Sequence, residues 1–123
     1  MIGKGLGDFT VYHKPTCTTC RSLIKKFDED EIDYEKVDYY SKPFTKNRLK
    51  QILKMLGMKP SDILRKREKR YKELDFANKD YSEDEVLNYL IKYPELIQRP
   101  IVVKGDKAII ARPIDKIEEL YKE

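Results

Sequence analysis

The chain has 123 residues, a length that fits one domain able to bury a hydrophobic core without disulfides or bound metal. Charged residues make up 39% of it and hydrophobic residues 40%, and a formal net charge of +4 is too small to indicate nucleic-acid binding by itself. No apolar run approaches the roughly 20 residues that span a bilayer, and the N-terminus lacks the apolar core of a signal peptide. We therefore expect a cytoplasmic protein that binds neither membranes nor nucleic acid directly, with a mild positive charge that suits an anionic substrate.

The first half of the predicted sheet is a β–α–β unit. After a glycine-containing opening at residues 1–7, which we expect to be a flexible tail, β-branched and aromatic residues predict a strand at about 9–13. Apolar side chains then recur at helical spacing between Cys20 and Phe27 and predict a helix from about 17 or 18 to 30. A second strand at about 33–38 completes the unit, so these two strands should be parallel.

The middle of the chain, about residues 44–97, contains only helical signals. One amphipathic helix ends at Gly57, another starts at Pro60, and a third follows a capping box that opens at Ser82. A dense basic run lies between the last two, at 65–72. We interpret this run as a solvated helix face or charged loop, with an anion-binding or partner-binding surface as the alternative.

Two short strands and a last helix complete the predicted fold. The strands lie at about 101–103 and 107–111, and the glycine-containing loop between them suits an antiparallel hairpin. Pro113 opens the last helix. The order of elements is that of a thioredoxin-like α/β fold with its middle expanded. The sequence therefore predicts a single domain over 1–123, in which a four-stranded mixed sheet is flanked by helices and interrupted by a helical insertion at about 44–97.

Cys17 and Cys20 form a C-x-x-C at the predicted junction of strand and helix, a placement typical of a thioredoxin-like redox site. Cys17 would start the helix, where unpaired N–H groups and the macrodipole stabilise a thiolate, and the Arg21 cation follows one turn later. We predict that Cys17 is the nucleophile and that Cys20 can attack adducts formed on it. Two inert thiols and a metal site are the alternatives, but only His13 offers a further nearby ligand, and we expect no bound metal.

Four residues outside the C-x-x-C are further site candidates. His13 ends the first strand, where it either affects the reactivity of the Cys17 thiol or has a purely structural role. Pro100 directly precedes the third strand, and in a thioredoxin-type arrangement that proline is cis and faces the cysteine loop. Because a hairpin brings its ends together, Arg99 and Arg112 can converge, and arginine suits a multiply hydrogen-bonded grip on an oxyanion. Surface arginines beside prolines are the alternative.

The chain resembles a known family at this point. Four segments match, in order and spacing, the motifs of the glutaredoxin-linked arsenate reductases and the related Spx-type regulators: 12–21, 63–66, 99–103 and 111–113. The resemblance covers almost the whole chain. It implies that Cys17 is the catalytic cysteine and that the oxyanion is bound by Arg65, Arg99 and Arg112. It also implies that His13 is the histidine just upstream of the active loop.

Cys20 and Arg112 distinguish the two branches of this resemblance. The well-known reductases carry serine at the position of Cys20 and take their second thiol from glutathione. The Spx-type regulators have a C-x-x-C redox switch and an RNA polymerase subunit as partner, but typically lack the pair that matches Arg112 and Pro113.

The complete arginine set favours an enzyme. We predict a thiol-dependent reductase of arsenate or a related oxyanion, without a bound cofactor, whose Cys17 adduct is resolved by glutathione or Cys20. Glutaredoxin or thioredoxin would then return the enzyme to its reduced form. An Spx-type redox-sensing regulator that binds RNA polymerase and a general disulfide oxidoreductase are the alternatives.

Overall fold

A computed structural model describes residues 9–121 of the chain, so the glycine-containing opening lies outside the described residues. The chain divides into two compact units. One consists of the chain up to residue 42 together with the chain from Arg99 onward, and the other is Pro43–Gln98. The second unit begins and ends within one residue of the predicted helical insertion. That the two units form a single domain stays a prediction.

The first unit contains a mixed four-stranded sheet. Its strands are β1 (Phe9–His13), β2 (Tyr34–Asp38), β3 (Ile101–Lys104) and β4 (Lys107–Ile110). The spatial order is β2-β1-β3-β4, with β1 parallel to β2 and antiparallel to β3, and with β3 antiparallel to β4. Each strand begins and ends within one residue of its predicted bounds, and both the parallel pair and the hairpin are confirmed.

Five α-helices lie in the described part of the chain: α1 (Thr18–Glu29), α2 (Lys46–Leu56), α3 (Lys69–Glu73), α4 (Glu83–Lys92) and α5 (Glu118–Tyr121). The predicted stop signal of α2 and the predicted start signal of α4 are confirmed. Gly57 ends α2 in the left-handed conformation, with φ +69°, where a residue without Cβ is favoured. Ser82 and Glu85 form the predicted capping box at the start of α4. None of these helices is long and apolar enough to cross a membrane.

The two predicted helices that open at prolines contain 3₁₀ turns. The segment from Pro60 is one 3₁₀ turn (Pro60–Ile63), because Leu64 is already extended and pairs with Ile97 in an isolated β-bridge. The last helix begins as a 3₁₀ turn (Ile114–Ile117) and continues as α5 for only one further turn.

A hydrophobic core in the first unit fixes α1 and the C-terminal turns against the sheet. The Phe9 and Phe27 rings lie 5.3 Å apart between β1 and α1, and the buried Lys104 donates to the Leu120 carbonyl at 3.0 Å. The buried members of this core are Phe9, Val11, Leu23, Phe27, Ile32, Val102, Ala111, Ile117 and Leu120. This packing holds the start of α1, and with it the cysteine pair, at one end of the sheet.

In the second unit, ion pairs with glutamates neutralise part of the positive charge of the basic run. The half-buried Arg65 pairs with Glu68 at 3.2 Å, and Arg70 pairs with Glu73 at 2.9 Å and with Glu95 at 3.3 Å. The other cations of the run are exposed: Lys66, Arg67, Lys69 and Lys72. The run is therefore a solvated loop and short helix, as interpreted from the sequence.

Candidate active site

The site lies where three strands of the first unit share one end of the sheet. His13 at the end of β1 pairs with Asp38 at the end of β2, and the neighbouring Tyr12 pairs with Ile101 at the start of β3. Because β1 and β2 are parallel and β3 runs the other way, the chain leaves β1 and β2 and enters β3 at this same end. The cysteine loop, the residues after β2 and the segment before β3 are therefore brought together.

Cys17 is the residue that begins α1, as predicted. Its backbone N–H donates to the Lys14 carbonyl at 2.9 Å, and its carbonyl accepts the first helical hydrogen bond, from Arg21, at 3.0 Å. Both cysteines are reduced; the Cys17 side chain is half-buried, whereas Cys20 is fully buried inside the first helical turn. A half-buried thiol at a helix N-terminus can meet a reactant, and a fully buried one can react only with a close neighbour.

The two thiols have pKa values shifted in opposite directions. Burial tends to raise the pKa of Cys17, but hydrogen bonds from the Cys20 N–H, the Cys20 thiol and Arg99, together with the Arg99 charge, lower it to about 7. Burial raises the pKa of Cys20 to about 12, and the adjacent Cys17 thiolate adds to the shift. Cys17 is therefore the thiolate near neutral pH, and Cys20 is a protonated donor beside it.

Arg99 supplies the positive charge at the thiol. Its side chain is only 6% exposed, and among the described residues its Nε and Nη1 atoms have no hydrogen-bond partner. Buried N–H donors are nearly always satisfied, and burying a charge without partners is costly. A guanidinium with unused donors next to a nucleophile is therefore suited to an anionic ligand that accepts those hydrogen bonds.

Arg112 joins Arg99 from the other end of the hairpin. Its Nη1 donates to the Arg99 carbonyl at 3.1 Å, and the Ala111 N–H donates to the Pro100 carbonyl at 2.9 Å. The Arg112 side chain therefore reaches the Arg99 backbone, and the convergence of the two guanidiniums on one anion stays a prediction. The Arg99–Pro100 bond is cis, as expected for this arrangement, and Arg112–Pro113 is also cis.

The other predicted site residues are His13, Arg21 and Arg65, and each lies in a different environment. His13 is buried, and burial together with the Lys36 charge lowers its pKa despite the opposing effect of Asp38, so the imidazole is neutral at pH 7. Arg21 is exposed, and the charge that lowers the pKa of Cys17 is that of Arg99. Arg65 belongs to the second unit, where it pairs with Glu68. Its place in the oxyanion site stays a prediction.

Sequence reasoning missed one residue of the site, Tyr39. This tyrosine directly follows β2 and is fully buried; burial raises its pKa far above the usual range of a phenol, and the charge of Arg99 opposes that shift. Its type and position in the sequence carry no signal of this interaction, because Arg99 lies 60 residues further along the chain. Within residues 9–121 no cluster of three or more histidine, cysteine or acidic side chains could hold a metal ion.

Comparison with known proteins assigns a family to this site. A model of the ArsC family matches residues 12–120. The chain is 34% identical over 111 residues to the uncharacterized protein YfgD of Escherichia coli K12, covering 89% of this chain and 93% of that protein. It is 31% identical over 112 residues to an arsenate reductase of Neisseria meningitidis serogroup A, covering 90% of this chain and 96% of the relative.

The fold is shared with solved structures. The arsenate reductase from Vibrio cholerae superposes with a TM-score of 0.85 at 28% identity, covering 90% of this chain and 95% of that one. These likenesses confirm the predicted thioredoxin-like α/β fold and, at the level of the family, the predicted enzyme class of arsenate reductase-like oxidoreductases. The chain belongs to the ArsC family.

Proposed function

We propose that this protein is a thiol-dependent reductase of arsenate or a related oxyanion, with Cys17 as its nucleophile. The observation that carries the proposal is the buried Arg99 guanidinium, whose Nε and Nη1 donors are unused beside a thiol with a pKa of about 7. An oxyanion has the charge and the acceptors to satisfy those donors. Arg112, which contacts the Arg99 backbone, would bind the same anion.

The reaction follows from these roles. The Cys17 thiolate attacks arsenic, an arsenic–sulfur bond forms, and one arsenate oxygen takes up a proton and leaves as water. The guanidinium groups offset the repulsion between the two anions and stabilise the charge on the oxygens. A second thiolate then attacks the Cys17 sulfur, and the electron pair of the sulfur–arsenic bond passes to arsenic, which leaves as arsenite.

The second thiol is either glutathione or Cys20. Cys20 lies within hydrogen-bonding reach of Cys17, so its attack would form an intramolecular disulfide. Burial is the main cause of its raised pKa, so Cys20 must lose its proton as it attacks, and the adduct removes only the smaller part of the shift, which comes from Cys17. A glutaredoxin or thioredoxin would reduce the resulting disulfide by thiol exchange. The cytoplasm, where thiols are kept reduced, is the compartment that fits this chemistry.

An arsenate reduction assay tests the proposal and identifies the reductant. The reduced protein is supplied in turn with glutathione and glutaredoxin, and with thioredoxin and its reductase, and arsenite is measured. We expect turnover with at least one system, and Cys20→Ser separates the two routes because it abolishes the thioredoxin-dependent route alone. Absence of arsenite with both systems would contradict the proposed function.

A further inference from the structure

Lys14 lies in the loop between β1 and α1, and the proposed reaction gives it no role. Its backbone carbonyl accepts the Cys17 N–H at 2.9 Å, which closes the turn that leads into α1. Its ammonium nitrogen lies over the Tyr40 ring, 4.9 Å from the ring centroid. Lys14 therefore contacts the nucleophile through its backbone and the segment after β2 through its side chain.

Tyr40 belongs to a turn that is held firmly at the end of β2. The carboxylate of Asp38 accepts hydrogen bonds from the Tyr40 N–H and the Ser41 hydroxyl, both at 3.0 Å. The Asp38 carbonyl also accepts the Ser41 and Lys42 N–H groups, at 3.1 Å and 2.9 Å. The Tyr40 ring packs on that of the fully buried Tyr39, with the ring centroids 5.3 Å apart. The ring is therefore a fixed surface for the Lys14 ammonium.

The contact between Lys14 and Tyr40 joins the segments that follow two neighbouring strands. β1 and β2 are parallel and His13 pairs with Asp38, so the chain leaves both strands at the same end of the sheet. A cation over an aromatic face is attracted by the ring quadrupole, and the attraction grows as the pair is withdrawn from water. Lys14 and Tyr40 are both half-buried. The loop that carries Cys17 is thereby tied to a turn that is itself fixed.

The position of this loop affects the stability of the Cys17 thiolate. The hydrogen bonds that lower the pKa of Cys17 come from Cys20 in the first turn of α1 and from Arg99. Such bonds weaken steeply when donor and acceptor lose their alignment. A loop free to move would carry the Cys17 sulfur away from these donors for part of the time, and the thiolate fraction at a given pH would fall.

We propose that Lys14 is a positioning residue: its ammonium, held on the face of Tyr40, anchors the loop whose carbonyl accepts the Cys17 N–H and so keeps the nucleophile at the start of α1. Lys14 acts through the position of Cys17 and needs no contact with substrate. The inference therefore does not depend on the identity of the oxyanion, and it can be tested on the reduced protein alone.

Two pairs of substitutions test the contact from both sides. Lys14→Met removes the cation and keeps an unbranched side chain, whereas Lys14→Arg keeps a cation that can lie on a ring. Tyr40→Leu removes the aromatic face, whereas Tyr40→Phe keeps it. Lys42→Met is the matched control, the same substitution at an exposed lysine of the turn after β2. The measured quantity is the rate at which iodoacetamide alkylates Cys17 between pH 5 and pH 9, and near-UV circular dichroism verifies that each variant is folded.

We expect Lys14→Met and Tyr40→Leu each to slow alkylation at pH 6 about two- to fivefold, the factor that corresponds to a partly exposed cation–π contact. The midpoint of the pH profile should move to higher pH, while the rate at pH 9, where the Cys17 thiol is ionised, stays that of the wild type. Lys14→Arg, Tyr40→Phe and Lys42→Met should keep the wild-type profile.

The double variant Lys14→Met/Tyr40→Leu separates the contact from a direct effect of the Lys14 charge. If the contact is the cause, the double variant should be no slower than either single variant. Wild-type rates in both single variants would overturn the proposal. Slowing by Lys14→Met that is just as large in the Tyr40→Leu background would overturn it too, because the charge would then act on Cys17 directly.

The outcome stays decisive if Tyr40→Leu does not fold, because equal slowing by Lys14→Met and Lys14→Arg would then overturn the proposal. No arsenate is present in these experiments. The alkylation rates therefore decide the role of Lys14 whether or not the protein reduces arsenate.

Discussion

Replacing Cys20 with alanine tests the origin of the low pKa of Cys17. The Cys20 thiol is one of the hydrogen-bond donors that lower that pKa to about 7. A hydrogen bond to a charged group contributes about 1.5–3 kcal/mol, and a thiol is a weak donor, so the lower end applies. Since about 1.4 kcal/mol corresponds to a tenfold change in an equilibrium constant, Cys20→Ala should raise the pKa of Cys17 from about 7 to roughly 8.

The expected change is measurable from alkylation rates. With a pKa near 7, about 9% of Cys17 is thiolate at pH 6, and a pKa near 8 reduces this thiolate fraction to about 1%. Alkylation at pH 6 should therefore be roughly tenfold slower in Cys20→Ala. The midpoint of the pH profile of the alkylation rate should also move to higher pH. Cys20→Ser is the matched control, because its hydroxyl can donate in place of the thiol. A midpoint near 7 in Cys20→Ala would refute the role given to this hydrogen bond.

Three further predictions concern the arginines, the disulfide and a helix cap. Arg112→Ala should reduce arsenate turnover by about a hundredfold or more, with Arg112→Lys rescuing only part of it, as initial rates would show. Diamide should oxidise Cys17 and Cys20 to an intramolecular disulfide, and persistent free Cys20 in peptide maps would argue against a resolving role. Ser82→Ala should lower the free energy of unfolding by about 0.5–2 kcal/mol in urea titrations, because the Glu85 N–H loses its acceptor; no loss would mean that this cap does not stabilise α4.

The sheet and most helices could be predicted because local sequence determines them. β1 combines aromatic and β-branched residues, and the parallel pairing of β1 with β2 follows from the short β–α–β unit. Gly57 and the capping box at Ser82 are local signals, and both act where the pattern predicts. The helix predicted from Pro60 ends early because Leu64 forms a bridge with the distant Ile97, which local sequence does not reveal.

The site was only partly predictable, because some of its interactions join residues that are far apart in the sequence. The C-x-x-C identified Cys17 through helix-start chemistry that needs no tertiary information. Its cation was predicted to be Arg21, one turn along the helix, whereas the structure brings Arg99 to the thiol across the sheet. The Arg99 charge also affects the pKa of Tyr39, which follows the strand on the other side of β1, so only the folded topology reveals that interaction.

Arsenite release by wild-type protein and by Cys17→Ser tests the central claim most directly. Both proteins are incubated with arsenate and the same glutathione, glutaredoxin and thioredoxin systems, and arsenite is quantified against time. The wild type should release arsenite and Cys17→Ser none above background, because serine at the start of α1 cannot supply a thiolate. Equal arsenite release by the two proteins, or none from the wild type, would contradict this claim.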